Sequence, residues 1–359
     1  MKTRSFVHEL NSPRVVFGAG TYRTLPAEVE QLGVKRCLVL STPEQRHHAE
    51  RTADLLGSLA VGIHGHAKMH VPIEAVDSAL LVANGLKVDA LVSYGGGSTT
   101  GLAKGVALRC GLPIIAIPTT YAGSEMTSIY GVTENSRKQT GKDARVMPRT
   151  VIYDPELTYD LPLEISIASG LNAIAHAAEG LYSRNKNPIV GLIAEEGIRA
   201  LAGGLSALSS GAGGEDARAS CLYGAWLCAM VLENAEMALH HKLCHTLGGS
   251  FNLPHAQMHA VILPHAIAYN ARSSPDASRR ILRALQAPNV SPATALHDLA
   301  QRLGAPLSLR ELGMSKDDLG AAARIAMQNP YWNPVPLTYE GLNSLLCRAY
   351  EGSKPDDVQ

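Results

Sequence analysis

Histidines are concentrated in one short segment of this chain. Positions 238–259 read ALHHKLCHTLGGSFNLPHAQMH and hold five of the fourteen histidines. His241 and His245 are four residues apart, and His255 and His259 repeat that spacing, so each pair shares a face if its segment is helical. Neutral imidazole is a common metal ligand, and the side chain also exchanges protons near neutral pH. The segment therefore predicts either a metal site or proton-transfer chemistry.

A second pair with the same spacing lies upstream. Asn172 and His176 are four residues apart on a predicted helix. Catalytic metal sites take three or four ligands, often including a carboxylate, whereas the Asn172 amide is neutral. The nearest carboxylate on that helix, Glu179, could join such a site only by rearrangement. His240 points away from its neighbour His241, so we expect it to be a surface or structural residue.

A glycine-rich stretch is the best candidate for binding phosphate. Gly95, Gly96, Gly97 and Ser98 follow an apolar strand and precede a predicted helix. Glycines let backbone N–H groups approach a pyrophosphate, and a helix N-terminus favours an anion. The next strand ends at Thr119 and Thr120, where ligands of open parallel sheets bind. This pattern favours a dinucleotide over a purely structural turn, but it does not separate NAD from NADP.

A competing glycine motif lies nearer the start of the chain. FGAGTYRT at positions 17–24 contains G-x-G but lacks the third glycine of the nucleotide-binding pattern. No acidic residue ends the following strand, which continues into Ser41, Thr42 and Pro43. A lone G-x-G is weak support for a nucleotide site. We therefore interpret this motif as a turn that starts a helix.

The periodicity of the chain predicts two domains that carry these motifs. In the first half, apolar strands at 36–41, 61–64, 89–94 and 113–117 alternate with helices at 44–56, 73–86 and 99–109, which is typical of a parallel sheet covered on both faces. Beyond a proline-containing boundary at 153–162, helices are predicted at 162–182, 188–208, 216–248, 258–271 and 293–303. The expected fold is an α/β, doubly wound dinucleotide-binding domain (1–160) followed by an all-α helical catalytic domain (161–359).

Composition narrows the functional class. The chain has 359 residues, 46% hydrophobic and 18% charged residues, and a net charge of zero, so a large core is available and neither a nucleic acid nor a membrane partner is expected. The six cysteines form no C-x-x-C pair, which fits a reducing compartment. No signal peptide is apparent, and the expected location is cytoplasmic.

Taken together, the motifs resemble the iron-type alcohol dehydrogenase superfamily over nearly the whole chain. GGGS at 95–98, PTTYAGSEMT at 118–127 and ASGLNAIAHAAEGLY at 168–182 occur in the family's order. HHKLCHTLGG, LPHAQMHAVILPH and NPYWNPVPLT (329–338) look like the maleylacetate reductase branch, which serves in degradation of aromatic compounds. The resemblance implies a dehydroquinate synthase-like fold, with the active site between an N-terminal nucleotide domain and a helical domain.

The resemblance also implies a ligand set and a cofactor. The family's metal ligands, an aspartate and three histidines, correspond here to Asn172, His176, His241 and His255, and His245 matches a further histidine near the nicotinamide. Because the only anionic ligand is missing, we expect no metal. Thr42 replaces the aspartate that enzymes strict for NAD often place after the second strand. Both NADH and NADPH are therefore expected to serve as cofactor.

The implied reaction reduces the conjugated C=C bond of maleylacetate to give 3-oxoadipate. Its enolate intermediate is a weaker base than an alkoxide, so hydrogen-bond donors can replace a Lewis acid. We expect His176, His241 and His255 to form that polar cluster and His245 or a neighbour to deliver the proton. Lys142 and Lys242 are candidates for binding the carboxylates of this small dicarboxylate substrate. A homodimer through the strand near 6–17 is expected.

Three alternatives remain open at this stage. One is a metal-dependent alcohol or polyol dehydrogenase, using iron or zinc, of the same superfamily with a rearranged ligand set. Another is a non-enzymatic nucleotide-binding or regulatory protein, against which the paired histidines argue. The third is a carbocyclic synthase, which would need an intact metal cage and more cationic residues.

Overall fold

The computed structural model describes residues 6–7, 9–135, 137–328 and 331–355; the side chains of Arg137 and His255 lie outside this description. Its contacts divide the chain into two compact units. One comprises Ser12–Leu161, and the other comprises Pro162–Gln359 together with Met1–Asn11. The glycine-rich motifs fall in the first unit and the histidine-rich segment falls in the second.

The first unit is built on a six-stranded sheet in which every pairing is parallel. The strands are β1 (Arg14–Phe17), β2 (Cys37–Leu40), β3 (Ala60–His64), β4 (Ala90–Gly95), β5 (Ile114–Pro118) and β8 (Thr150–Tyr153), in the spatial order β1-β8-β5-β4-β2-β3. Four helices connect them: α1 (Leu25–Leu32), α2 (Arg46–Leu56), α3 (Ile73–Gly85) and α4 (Gly97–Cys110). The α/β fold predicted from the alternating pattern is confirmed.

Both faces of the sheet are buried, which explains why its strands are continuously apolar. Leu38 and Leu91 pack with residues of α3 and α4 on one face. Val39 and Val92, which point the other way because side chains alternate along a strand, pack with residues of α1 and α2. Parallel strands covered by helices on both faces carry no polar alternation.

The strand order contains one reversal. From β2 the chain moves outward to β3 at the sheet edge, whereas β4 lies on the other side of β2 and leads to β5. The connections that leave β2 and β4 therefore diverge and open a crevice at the carboxyl ends of these two strands. Open α/β sheets bind their ligands at such a switch point.

Three strands of the first unit were not predicted: β8 and the two strands of a hairpin. An antiparallel hairpin, β6 (Ile129–Glu134) and β7 (Arg137–Lys142), follows β5. Its second strand reads RKQTGK and offers no apolar face. Hydrophobic periodicity therefore gave no signal for a strand there.

The second unit is helical. Its helices are α5 (Leu163–Gly180), α6 (Pro188–Ser209), α7 (Glu215–Asn234), α8 (Leu239–Phe251), α9 (His255–Asn270), α10 (Pro275–Ala284), α11 (Pro292–Arg302), α12 (Leu319–Met327) and α13 (Tyr339–Glu351). Helix α5 is buried along every residue from Ser166 to Gly180. Within the described part of the chain, no helix is long and apolar enough to cross a membrane.

Two predicted boundaries in the histidine segment were wrong. The single helix expected over 216–248 is two helices, α7 and α8, separated at positions 235–238 because the first N–H groups of α8 turn to the Glu179 carboxylate on α5. Gly248 and Gly249 do not end α8. The helix continues to Phe251, and Asn252 terminates it with a left-handed backbone at φ 53°.

Candidate active site

The glycine-rich stretch lies at the switch point of the sheet. Gly95 ends β4 with φ +143°, a value that L side chains rarely adopt. Gly96 is the N-cap of α4, and a Cβ added there would lie 2.9 Å from the Thr120 side chain. Gly97 and Ser98 form the first turn of α4. A glycine cradle at a helix N-terminus fits the pyrophosphate of a dinucleotide.

The predicted threonines belong to the same edge of the sheet. The backbone N–H of Thr119 donates to the Gly95 carbonyl at 3.2 Å. The Gln45 side-chain amide donates to Thr119 Oγ1 at 3.1 Å, and the Gln45 backbone N–H donates to the Thr42 carbonyl at 3.2 Å. Gln45 thus joins the ends of β2 and β5, a role that no sequence motif indicated.

A carboxylate, that of Glu44, lies within hydrogen-bond distance of the Thr42 side chain. Glu44 has a pKa below its ordinary range because hydrogen bonds from its own backbone and from the Thr42 side chain stabilise the charged form. Glu44 is exposed, so this carboxylate is free to turn toward solvent. We expected a 2′-phosphate to meet no negative charge beside Thr42, but the Glu44 carboxylate lies there.

Buried Lys104 of α4 holds the segment that follows β5. Its Nζ donates to the carbonyls of Ser124 at 2.6 Å, Thr127 at 2.7 Å and Ile129 at 2.8 Å. A buried ammonium is costly unless such acceptors surround it. Lys104 therefore fixes the shape of the PTTYAGSEMT segment, a role that no sequence motif indicated.

In the competing motif FGAGTYRT, backbone N–H groups that could bind a phosphate are bound to a side chain of this protein. The backbone N–H groups of Gly20 and Tyr22 donate to the Asp154 carboxylate at 3.1 and 2.9 Å. A short 3-10 turn at Thr21–Thr24 then leads into α1. The motif is a turn that starts a helix, as interpreted from sequence.

In the helical unit, a chain of three side chains links α5 to α8. His176 Nδ1 lies 2.7 Å from His241 Nε2, and His241 Nδ1 lies 2.6 Å from Glu179 Oε2. All three are buried, with His176 at 4%, His241 at 6% and Glu179 at 0% exposure. The structure thus brings together two predicted histidines, and it places the carboxylate on the far side of His241.

Glu179 is also the anchor of the α8 N-terminus. Its carboxylate accepts the N–H groups of Ala238 at 3.0 Å and His240 at 2.9 Å and the Tyr182 hydroxyl at 3.1 Å. Burial alone would raise the pKa of Glu179, but the hydrogen bond and charge of His241, with these donors, outweigh it and lower the pKa to about 2. A carboxylate that is charged near neutral pH therefore lies behind the histidines.

Asn172 lies one turn before His176 on α5 and is buried. Its Oδ1 has no hydrogen-bond partner among the atoms that the structure describes. The amide oxygen is therefore available to a ligand, but it brings no charge. The predicted fourth member, His255, begins α9, and its side chain lies outside the described part of the structure.

His245 is exposed, whereas His176, His240, His241 and His259 are buried. Its ring centroid is 6.3 Å from that of His241, with the rings at 80°. Exposure is what a group that takes protons from solvent requires. His240, in contrast, is fully buried, so the surface alternative for it was wrong; its Nε2 lies 2.9 Å from Nδ1 of His259.

Of the two lysine candidates, one lies beside an aromatic side chain that the sequence analysis overlooked. Lys242 Nζ is 5.5 Å from the Tyr331 ring centroid. The Tyr331 hydroxyl is buried without a hydrogen-bond partner among described atoms, and its pKa is raised by burial and by the charge of Glu179. Lys142 is exposed at the end of β7 in the first unit.

Comparisons with known proteins cover both units. A family model described as iron-containing alcohol dehydrogenase matches residues 12–155, and the model of the C-terminal part of the Fe-containing alcohol dehydrogenase family matches residues 166–350. The chain is 57% identical over 352 residues to a maleylacetate reductase of Burkholderia cepacia, covering 98% of this chain and 99% of that protein.

Solved structures show the same likeness. The crystal structure of a maleylacetate reductase from Agrobacterium tumefaciens is 47% identical, has a TM-score of 0.95, and is covered to 100% by 98% of this chain. An iron-containing alcohol dehydrogenase from Corynebacterium glutamicum is 41% identical with a TM-score of 0.93, at 99% coverage of both chains.

Proposed function

This chain belongs to the iron-containing alcohol dehydrogenase family, and on that premise we propose that it reduces maleylacetate to 3-oxoadipate with NADH or NADPH. The observation that carries the proposal is the 57% identity, over nearly the full length of both chains, to a maleylacetate reductase. The neutral Asn172 beside a charged Glu179–His241–His176 chain supports it. A C=C bond conjugated to a ketone is reduced through an enolate, which hydrogen-bond donors can stabilise.

The reaction adds one hydride and one proton to maleylacetate. A bound nicotinamide supplies the hydride, which forms a new C–H bond at the carbon β to the ketone. The electron pair of the C=C bond moves toward the ketone oxygen to give the enolate. Protonation at the α-carbon then completes 3-oxoadipate, so the protein must provide an oxyanion site and a proton donor.

The histidine chain fits the oxyanion role. Because charged Glu179 accepts the Nδ1 proton of His241, a neutral His241 must accept from His176 Nδ1–H, which leaves an acceptor at His176 Nε2. One further proton on this pair reverses the hydrogen bond between the rings and places N–H at His176 Nε2. The added positive charge is balanced by Glu179, and His176 becomes a donor for the enolate oxygen.

Exposed His245 fits the proton-donor role, as proposed from sequence. It lies one helical turn after His241 on α8, so it faces the same side of that helix. Its exposure allows it to regain a proton from solvent after each turnover. The Tyr331 hydroxyl and the Lys242 ammonium add a neutral donor and a cation for the substrate carboxylates.

We propose that the reduction needs no metal at the family's ligand position. The donors that the structure describes there, Asn172, His176 and His241, are all uncharged in the form that would bind an ion, and Glu179 is held by His241 and by backbone N–H groups. An amide oxygen is a weaker donor than a carboxylate, so the exchange of the family's aspartate for Asn172 lowers the affinity of this position for a divalent ion. The family's name points the other way, so metal content must be measured.

The cofactor is proposed to bind at the glycine cradle of Gly95, Gly96, Gly97 and Ser98, with Thr119, Thr120 and Thr42 along the same edge. The neutral Thr42 admits either nicotinamide cofactor. We also propose a homodimer through β1, the strand at one end of the sheet, next to β8. Light scattering of the purified protein tests that assembly.

A substrate panel tests the function directly. Oxidation of NADH and NADPH is followed with maleylacetate and with simple ketones and aldehydes, before and after exhaustive chelation. We expect maleylacetate to be reduced at an undiminished rate after chelation and the simple carbonyl compounds to be poor substrates. Chelator-sensitive reduction of simple aldehydes would instead support a metal-dependent alcohol dehydrogenase.

A further inference from the structure

A second group of metal-binding side chains lies beside the proposed active site and has no role in it. His240, Cys244 and His259 each offer one ligand atom, and these atoms all lie within 4.8 Å of one another. His240 Nε2 is 2.9 Å from His259 Nδ1 and 3.6 Å from Cys244 Sγ. All three residues are buried, at 0%, 0% and 1% exposure. Two helices, α8 and α9, supply them.

We propose that His240, Cys244 and His259 bind a zinc ion. Zinc takes histidine nitrogen at about 2.0–2.1 Å and cysteine sulfur at about 2.3 Å in a tetrahedral arrangement, which separates neighbouring ligand atoms by roughly 3.3–3.6 Å. The nitrogen–sulfur separation already matches this spacing, and the two nitrogens need to part by only a few tenths of an ångström. The ion would replace the proton that these two rings share.

The charges around the group favour a divalent cation. Burial, and secondarily the charge of Glu179, raise the pKa of the Cys244 thiol well above its ordinary range, so the thiol keeps its proton until a metal displaces it. A zinc ion with a Cys244 thiolate carries one net positive charge. The charged Glu179, which accepts the His240 N–H at 2.9 Å, neutralises that charge. The buried assembly would be neutral overall.

The ligand set differs from the family's. None of its three residues occupies a family ligand position, and one is a thiolate, a softer donor than carboxylate or imidazole. The His259 ring centroid lies 4.9 Å from that of His240 and 6.5 Å from that of His176. His240 and Cys244 lie on α8 and His259 lies on α9, so the ion would join these two helices and takes no part in the proposed reduction. The proposal therefore does not rest on maleylacetate being the substrate.

Cobalt provides the test because it replaces zinc and reports a sulfur ligand. The whole chain is produced in cobalt-supplemented medium, so that the ion can enter as the protein folds. We expect about one bound cobalt per chain and a near-ultraviolet thiolate-to-cobalt charge-transfer band. Cys244→Ser should abolish the band, His259→Gln should remove most of the metal, and Cys228→Ser, a buried cysteine of α7, should change neither.

A measurement on the unaltered protein guards against variants that misfold. X-ray absorption at the zinc edge should show one sulfur at about 2.3 Å and nitrogen neighbours near 2.0 Å. A zinc shell without sulfur, a protein that takes up no zinc or cobalt, or a charge-transfer band that persists in Cys244→Ser would overturn the proposal. These readouts leave the reductase activity unexamined, so failure of one proposal is distinguishable from failure of the other.

Discussion

Glu179 Oε2 lies 2.6 Å from His241 Nδ1, and the same carboxylate accepts the N–H groups that begin the helix carrying His241. One buried charge thus fixes both where α8 starts and which ring nitrogen of His241 bears a proton. The opposite nitrogen of His241 faces His176 at 2.7 Å. A change at Glu179 must therefore alter the chemistry of the histidines and the packing of the helix together.

Replacing the Glu179 carboxylate by an amide should lower both the turnover rate and the stability of the fold. In Glu179→Gln, the amide cannot balance a protonated His241, and its NH2 group meets donors that Glu179 accepts from. We expect turnover of maleylacetate to fall about 10- to 100-fold, the range typical when a partner that orients a histidine is removed, and unfolding free energy to fall by about 1–3 kcal/mol. Steady-state kinetics and urea unfolding measure the two effects. Undiminished turnover would remove Glu179 from the site.

Acid should weaken the folded state through the same residue. The pKa of Glu179 is about 2 when folded, below the ordinary value of about 4.3 in an unfolded chain. A lowered folded pKa adds stability that is complete above the unfolded pKa and is lost as pH falls toward 2, and its size is about 3 kcal/mol. The stability difference between the natural protein and Glu179→Gln should therefore shrink between pH 5 and pH 2. A difference that is constant across this window would contradict the assignment.

Restoring a carboxylate at position 172 should create a metal site of the family's type. In Asn172→Asp, an anionic oxygen joins His176 and the other family positions, so we expect one additional equivalent of iron or zinc per chain. Elemental analysis before and after chelation measures it. Asn270→Asp, which adds a carboxylate at another buried asparagine, serves as the matched control. The same metal content in all three proteins would show that Asn172 does not decide binding there.

Removing the exposed histidine should slow proton delivery. For His245→Ala we expect kcat to fall by about 10²–10⁴-fold, the usual contribution of a general acid, with a small change in KM. His47→Ala, which removes another exposed histidine in the first unit, is the control and should retain normal turnover. Near-normal kcat in His245→Ala would exclude His245 as the donor.

Cofactor choice should respond to charge beside Thr42. We expect the natural protein to use both NADH and NADPH, Thr42→Asp to lose about tenfold or more in kcat/KM with NADPH only, and Glu44→Gln to gain with NADPH. A carboxylate at position 42 would repel the 2′-phosphate of NADPH, and removal of the Glu44 charge would relieve such repulsion. The proposal that the cofactor binds beside Thr42 fails on either of two results. One is a preference of the natural protein for NADH above about a thousandfold, and the other is an equal effect of Thr42→Asp on both cofactors.

The elements predicted correctly from the sequence are those that short apolar runs and glycine positions define. Strands β2, β4 and β5 and the Gly95–Gly96 cradle follow from apolar runs that end in small residues. The hairpin β6–β7 could not be found this way because its residues are largely polar. Helices α10, α12 and α13 were also missed, although Thr338 and Gly352, which bound α13, are typical of a helix start and a helix end.

At the histidines, the contacts that the sequence could not predict join residues far apart in the chain. Spacing paired Asn172 with His176 and His241 with His245, and the family resemblance grouped His176 with His241. Neither could show that Glu179 lies behind His241, because this contact joins residues 62 positions apart. Nor could either show that His240 turns inward to His259. Both contacts depend on how α5, α8 and α9 pack, and that arrangement is invisible to local sequence patterns.

Helix α5 is enclosed along its whole inner length, from Ser166 to Gly180, so its side chains hold their places whatever residue stands at position 172. Exchange of asparagine for aspartate alters charge with almost no change in volume. If Asn172→Asp restores metal binding as predicted above, one amino-acid exchange would change the metal requirement of this scaffold without remodelling the helix or its neighbours. The metal requirement of a chain would then be decided at one buried position rather than by its overall similarity to its relatives.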